Sequence, residues 1–159
     1  TFSLEAFPRA DATRLQQAMA EAGGHSCFGL AVRGADSLYL AKLSDAGAMS
    51  RLAPSLSAAL RQLDVSLLDV VVLQHALGID AHDAAHDGRL RYVKEAAEAV
   101  DAVRAGRADV ACLLNATRMA EIESVCDAGD TMPEKSTYFH PKLGSGFAFH
   151  ALEPLEDVR

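Results

Sequence analysis

Positive charge is scarce in this sequence: 15 lysines and arginines face 22 aspartates and glutamates, giving a net charge of −7 and a pI near 5.3. Such a balance repels nucleic acid and anionic membrane surfaces, so we expect no nucleic-acid partner. The negative net charge does not exclude a local basic site that binds a small ligand. No apolar run reaches the ~18–20 residues that a membrane-spanning helix needs, and no signal peptide is evident, so we expect no membrane partner either.

Cysteine is also sparse. Cys27, Cys112 and Cys126 are odd in number and widely spaced, and no C-x-x-C pair occurs. A disulfide framework is therefore not indicated. Each cysteine lies inside an apolar stretch, where a thiol behaves as a small hydrophobe. This usage predicts a protein of the reducing cytoplasm.

The chain has the size and composition of one domain. It contains 159 residues, half of them hydrophobic, which is enough for a sizeable core. No internal repeat, low-complexity tract or interdomain linker divides it. Because Thr1 is not an initiator and a strand-like pattern starts at Phe2, we expect residues 1–159 to be a fragment of a longer protein.

Apolar patterns along the chain predict a mixed α/β fold. Two short runs joined by four residues predict an antiparallel hairpin. The run 67–77 contains three consecutive valines, as a strand would, but its i, i+3, i+4, i+7 spacing and the following Gly78 favour a helix. We predict a mixed sheet of about five or six strands flanked by helices, with strands at 2–7, 27–33, 38–43, 89–93, 108–114 (central) and 146–152, and helices after Asp11, from Pro54 and at 94–105 and 119–126.

The segment 132–146 fits neither a strand period nor a helix period and is predicted to be an ordered loop. It combines lysines, hydroxyl groups and glycines, which suit a phosphate or a carboxylate. It is not a P-loop, because the G-x-x-x-x-G-K-[ST] spacing that defines a P-loop is absent. The alternative is a structural connection with proline-fixed backbone, packed aromatic rings and solvated lysines. The candidate ligand-binding residues of this loop are Lys135, Ser136, Thr137, Tyr138 and Lys142.

A second candidate follows the strand predicted at 108–114. Asn115 and Arg118 lie in the turn directly after it. In open α/β sheets ligands bind beyond the carboxyl ends of strands, so this turn could flank the same site as the loop. The alternative is that Asn115 or Thr117 caps the next helix and Arg118 lies on the surface.

The segment 80–87 contains His82 and His86 among three aspartates. On a helix two histidines four residues apart share one face, a spacing known from zinc-binding helices. However, the segment is short and lacks an apolar stripe that would anchor it. We therefore predict no metal site and interpret the segment as a solvated connection, with a metal site at His82 and His86 as the alternative.

Two runs carry a family resemblance. Leu113-Leu-Asn-Ala-Thr-Arg-Met119 and Asp127-Ala-Gly-Asp-Thr-Met-Pro-Glu-Lys-Ser-Thr-Tyr-Phe-His-Pro-Lys-Leu143 resemble the C-terminal signature of the family catalogued as domain of unknown function 1015. Residues 28–103 resemble it more loosely and in the same order. Ala116 departs from the family's proline, and Gly144-Ser145 stands where bulkier residues are common.

This resemblance implies that the chain is the C-terminal portion of a protein at least twice as long. The family has no established reaction, and its upstream Gly-His-His-Arg-type motif has no match here. The motif's loose similarity to nucleotide-handling and serine-kinase proteins suggests phosphotransfer only by analogy. The expected partners are the upstream half of its own chain, a small anionic ligand and a second copy in a homo-oligomer. The sequence does not identify a cofactor, so the cofactor is unknown.

Overall fold

Four antiparallel strands form one sheet between two groups of helices in the computed structural model, which describes residues 2–137. The strands lie in the spatial order β1-β3-β2-β4, and all three neighbouring pairs are antiparallel. The α/β class is confirmed at this level. The strands are β1 Phe2–Pro8, β2 Cys27–Val32, β3 Ser37–Leu43 and β4 Val110–Leu113.

The helices divide the chain between the strands. A π-helix continues directly from the short helix α4, so the helix predicted over 67–77 is confirmed, although most of it winds more widely than an α-helix. No helix within residues 2–137 is long and apolar enough to cross a membrane. The helices are α1 Ala12–Glu21, α2 Ala48–Leu52, α3 Ala58–Arg61, α4 Asp64–Leu67, the π-helix Leu68–Ala76, α5 Ala81–His86, α6 Ala96–Arg104 and α7 Met119–Asp127.

The predicted hairpin is formed by β2 and β3, and alternate residues of each strand face opposite sides of the sheet. On one side the sheet packs against α1 and α6, where Leu15 and Val100 are almost fully buried. On the other side Phe28 and Ala41 pack against α2, α4 and the π-helix. Both faces of the hairpin are therefore covered, which explains why both of its runs are largely apolar.

Helix α1 begins and ends where the sequence predicts. The side chain of Asp11 accepts a hydrogen bond from the backbone N–H of Arg14 at 2.8 Å, as an N-cap residue does. At the other end Gly23 and Gly24 have positive φ angles of 101° and 63°. An L-residue with a side chain rarely adopts that backbone, so the two glycines end the helix.

Several predicted elements are wrong. The described residues contain four strands rather than five or six, and the predicted strand at 89–93 is not one of them. There the backbone N–H of Leu90 donates back to the carbonyl of Ala84, so the segment closes α5 instead of joining the sheet. Helix α2 is not predicted from the sequence, and the helix predicted from Pro54 begins at Ala58 instead.

The strand predicted as central, β4, lies at one end of the sheet formed by the described residues. It pairs with β2, and Val110 is 46% exposed. The hairpin strand β2 pairs with β4 in antiparallel order, so the sheet of the described residues is antiparallel throughout and not the mixed sheet that the sequence predicts. The strand predicted at 146–152 lies outside the described residues.

Candidate functional site

The turn after β4 and the start of the predicted binding loop lie against each other. The hydroxyl of Thr117 donates a hydrogen bond of 2.7 Å to the backbone carbonyl of Ser136. These two residues are 19 positions apart, and α7 forms the connection between them. The structure therefore brings the two candidate segments, 115–118 and 133–137, into direct contact.

Asn115 faces the interior of the protein. Its side-chain amide donates to a carboxylate oxygen of Asp64 at 2.9 Å and to the backbone carbonyl of Cys27 at 3.1 Å. It thereby joins β4 to the beginning of β2 and to the first turn of α4. Because β2 and β4 are antiparallel, the turn after β4 meets the amino end of its neighbour, so the rule for parallel sheets does not apply here.

The carboxylate of Asp64 accepts hydrogen bonds from two separate segments of the chain. Its second carboxylate oxygen accepts a 2.6 Å hydrogen bond from the backbone N–H of Ser26. Burial raises the pKa of the Asp64 carboxyl, although the hydrogen bonds from Asn115 and Ser26 act in the opposite direction. Two donors on separate chain segments thus converge on one partly buried carboxylate, which fixes the base of the candidate site.

The nearby thiols are poor nucleophiles. Burial raises the pKa of the Cys27 thiol, and burial raises the pKa of the Cys112 thiol to about 11. A thiol of raised pKa is protonated near neutral pH and reacts slowly. All three cysteines are free, and Cys126 is exposed, so the prediction that each thiol behaves as a small hydrophobe in apolar surroundings does not hold for Cys126.

Arg118 is the N-cap residue of α7, and its side chain is 52% exposed. Its backbone N–H donates to the carboxylate of Glu121 at 2.7 Å, and its guanidinium donates to the carbonyl of Gly24 at 3.1 Å. The alternative in which Asn115 or Thr117 caps this helix is therefore wrong. The guanidinium spans the gap between α7 and the end of α1 and keeps one side open to solvent.

The start of the predicted binding loop is a tight turn. The backbone N–H and the hydroxyl of Ser136 both donate to the carbonyl of Pro133, at 3.2 and 2.6 Å. Lys135 has a positive φ of 61°, which is uncommon for a residue with a side chain and costs of order 1 kcal/mol or more. Its ammonium lies 3.2 Å from the carboxylate of Glu134, and its side chain is 58% exposed.

The remaining predicted site residues belong either to the loop 132–146 or to α5. Thr137 is half-buried at the end of the described chain, whereas Tyr138 and Lys142 lie outside the described residues. His82 and His86 lie on α5, well exposed, with ring centroids 4.7 Å apart. The segment predicted as a solvated connection is therefore a short, solvent-exposed helix.

An apolar groove of about 360 Å³ was not predicted from the sequence. It lies between the sheet and the π-helix, and at its mouth Leu4 is 63% exposed. The rings of Phe2 and Phe28 meet edge to face in it, with centroids 5.1 Å apart. The groove is lined by Phe2, Leu4, Phe28, Leu30, Ala41, Val71, Val72, His75 and Ala76.

No family model, curated protein or solved structure matches this chain. The resemblance of residues 113–146 to the domain of unknown function 1015 family accordingly stays a prediction.

Proposed function

We propose that this domain supplies one side of a binding site for a small anionic ligand that carries a phosphate or a carboxylate. Lys135 and Arg118 provide the positive charge, and Ser136, Thr137 and Asn115 line or support the site. Tyr138 and Lys142, which come later in the same loop, are the other proposed contacts. Any chemistry on the bound ligand belongs to residues in the upstream half of a longer chain, so the domain alone is expected to be inactive.

The hydrogen bond between Thr117 and Ser136 is the observation that carries this proposal. Each cation adjoins one of these two residues, Arg118 after Thr117 and Lys135 before Ser136. The hydrogen bond therefore keeps the two cation-bearing segments together before any ligand arrives. A site assembled in advance loses less conformational entropy on binding, which favours affinity for a small ligand.

The acidic neighbours of the two cations do not block an anion. Glu134 pairs with Lys135, and Glu121 lies 3.7 Å from the guanidinium of Arg118. Exposed ion pairs of this kind contribute only about 0–1 kcal/mol, whereas a charge-assisted hydrogen bond to a ligand is worth about 1.5–3 kcal/mol. A phosphate can therefore displace either carboxylate. The positive φ at Lys135 also fits a binding site, since strained backbone is frequent at such positions.

Removal of the ammonium tests the proposal. We expect inorganic phosphate and O-phosphoserine to raise the melting temperature of the wild-type chain, and Lys135→Ala to weaken binding by about tenfold, because one charge-assisted contact is lost. Thermal shift measurements against sodium chloride at equal ionic strength would show this. A ligand at about ten times its Kd stabilises the fold by about 1.4 kcal/mol, which is readily detected.

Lys94→Ala is the matched control, since it removes the same charge from an exposed position before α6. It should respond to phosphate as the wild type does. Equal responses from the wild type and Lys135→Ala would contradict the proposal.

The apolar groove favours a second function, a docking or oligomerisation module in which the 132–146 loop is structural. Leu4, Phe28 and Val72 line a groove that contains little polar surface. Exposed apolar grooves are typical of surfaces that bind another protein segment. The upstream half of a longer chain or a second copy of this domain would provide that segment.

Self-association distinguishes this second function. If a second copy occupies the groove, sedimentation velocity should show dimerisation that grows with concentration. Leu4→Asp should abolish it, because a carboxylate at the mouth of an apolar groove loses hydration on binding. Leu114→Asp makes the same substitution at an exposed leucine outside the groove, directly after β4, and should leave dimerisation intact. A monomer at every concentration up to about 1 mM, a weak affinity by the usual scale, would exclude the dimer.

A further inference from the structure

We propose that a cavity of about 330 Å³ between the hairpin turn and the end of α6 binds a small carboxylate with an aliphatic body. Its walls come from residues 31–38 and from the last turn of α6. Ligand pockets in proteins span roughly 300–1,000 Å³, so this cavity is large enough for a short carboxylic acid. None of its residues belongs to the proposed anion site or to the apolar groove, so the inference depends on neither proposed function.

The floor of the cavity is apolar. Ala31 and Leu38, which pair across the hairpin, and Val103 of α6 belong to the core that packs beneath α1 and α6. Each of the three is at most 4% exposed, so the atoms that reach the cavity are sheltered from bulk water. An aliphatic chain placed against them is stabilised, because apolar surface leaves water on both sides of the contact.

Two guanidinium groups lie at the cavity, one on each wall. Arg33, in the hairpin, donates to the carbonyl of Gly106 at 3.0 Å and lies 3.1 Å from the carboxylate of Asp109. Arg104, in the last turn of α6, donates to the carbonyl of Ala10 at 2.7 Å. That acceptor is neutral, so the bond positions the guanidinium without compensating its charge. A guanidinium has five N–H donors and can bind a carboxylate through two parallel hydrogen bonds.

The charged groups that line the cavity favour an anion. Arg33 and Arg104 contribute two positive charges, and Asp36 contributes one negative charge. The side chain of Asp109 is 82% exposed, and an ion pair so open to water offsets little of the charge of Arg33. The lining is therefore positive on balance, in a chain whose net charge is −7. A carboxylate with an aliphatic body uses both the cations and the apolar floor, whereas inorganic phosphate uses the cations alone.

Both walls are held in place by backbone hydrogen bonds. In the hairpin turn the N–H of Ala35 donates to the carbonyl of Val32 at 3.1 Å. On the opposite wall the N–H of Gly106 donates to the carbonyl of Val103 at 3.0 Å and closes α6. A cavity formed in advance loses less conformational entropy when a ligand binds, which favours affinity.

Hexanoate is the probe, followed through the backbone amide signals of the protein by NMR. Gly34 and Gly106 line the cavity, so their signals report binding at this place. We expect both signals to shift and to saturate with a Kd of about 1 mM or tighter, whereas the signal of Gly78, outside the cavity, should not move. 1-Hexanol has the same chain without the charge and should bind at least about tenfold more weakly, because it cannot form charge-assisted hydrogen bonds.

Substitution of one arginine tests the role of the charge. Arg104→Gln should weaken hexanoate binding about tenfold, and Arg104→Lys should recover part of the loss, since lysine restores the charge without the planar fork. Arg91→Gln removes the same charge from an exposed position before α6 and should bind as the wild type does. Lys135→Ala should also leave the shifts of Gly34 and Gly106 unchanged, which separates this cavity from the proposed anion site.

The amide spectra also show whether each variant is folded. If Arg104→Gln does not fold, Arg33→Gln on the opposite wall replaces it with the same expected loss of affinity. The inference is overturned if the signals of Gly34 and Gly106 do not saturate up to about 10 mM hexanoate, well beyond the ~1 mM that already marks weak binding. It is equally overturned if 1-hexanol binds as tightly as hexanoate, or if the arginine variant of the cavity binds as tightly as Arg91→Gln.

Discussion

Gly29→Ala is expected to destabilise the domain by about 1–3 kcal/mol, because the core beneath α1 has no room for a methyl group. Gly29 lies in the middle of β2 and faces α1. A Cβ atom there would lie 2.6 Å from Cδ2 and 2.9 Å from Cγ of Leu15, and 3.2 Å from the sulfur of Met19. Leu15 has no exposed surface and cannot swing away. Urea denaturation with an unchanged m-value would measure the loss.

A double-mutant cycle provides the control. Leu15→Ala alone should cost about 2–5 kcal/mol, since it removes a fully buried side chain and leaves a cavity. In the double variant the new methyl group partly fills that cavity. The stability losses of the two single variants, added together, should therefore exceed the stability loss of the double variant by at least about 1 kcal/mol. Strict additivity would contradict a steric clash between these two positions.

Elements defined by local signals are predicted from the sequence. The capped helix α1, the hairpin, α6 and α7 all follow from apolar period, capping residues and glycine stops over a few residues. What the sequence does not show is the neighbour of each strand. The run 108–114 is apolar on both faces and therefore resembles a central strand. However, β4 lies at the end of the described sheet, because an apolar sequence indicates burial and does not identify hydrogen-bonding partners.

The candidate site shows the same division. Composition predicts the loop and chain position predicts the turn after β4 as parts of one site, and the structure places the two segments in contact through Thr117 and Ser136. The role of Asn115 could not be found in this way. Its partners, Asp64 and Cys27, are 51 and 88 residues away in the chain, so no local pattern connects them. The same holds for the groove, which gathers residues from three strands and the π-helix.

Asn115→Asp is expected to lower the free energy of unfolding by about 3 kcal/mol at neutral pH, because it sets a second carboxylate against a partly buried one. The amide nitrogen of Asn115 lies 2.9 Å from Asp64 and donates to it. An ionised carboxylate in place of that amide can only repel Asp64. The substitution also removes the donor to the carbonyl of Cys27, which adds the cost of an unpaired acceptor.

The loss of stability in Asn115→Asp should grow as the pH rises. In wild type, burial already raises the pKa of Asp64, and in the variant the paired carboxylates share a proton, so the folded pKa rises further. The folded state then binds more protons than the unfolded state, and stability falls as pH rises above about 4, the ordinary aspartate pKa. Below that pH both groups are protonated in both states. The part of the loss that is due to repulsion, roughly half of it, should therefore disappear near a pH of about 3, whereas an effect of shape alone would persist at every pH.

The exchanged pair Asp64→Asn with Asn115→Asp is the decisive control. It restores one amide and one carboxylate at this contact with their positions reversed, and the amide introduced at position 64 can still accept from Ser26 through its carbonyl oxygen. The repulsion is gone, and the donor to Cys27 is still missing. We therefore expect recovery of roughly half the loss and a much weaker pH dependence. If the exchanged protein is no more stable than Asn115→Asp alone, repulsion between the side chains at positions 64 and 115 is not the cause of the loss.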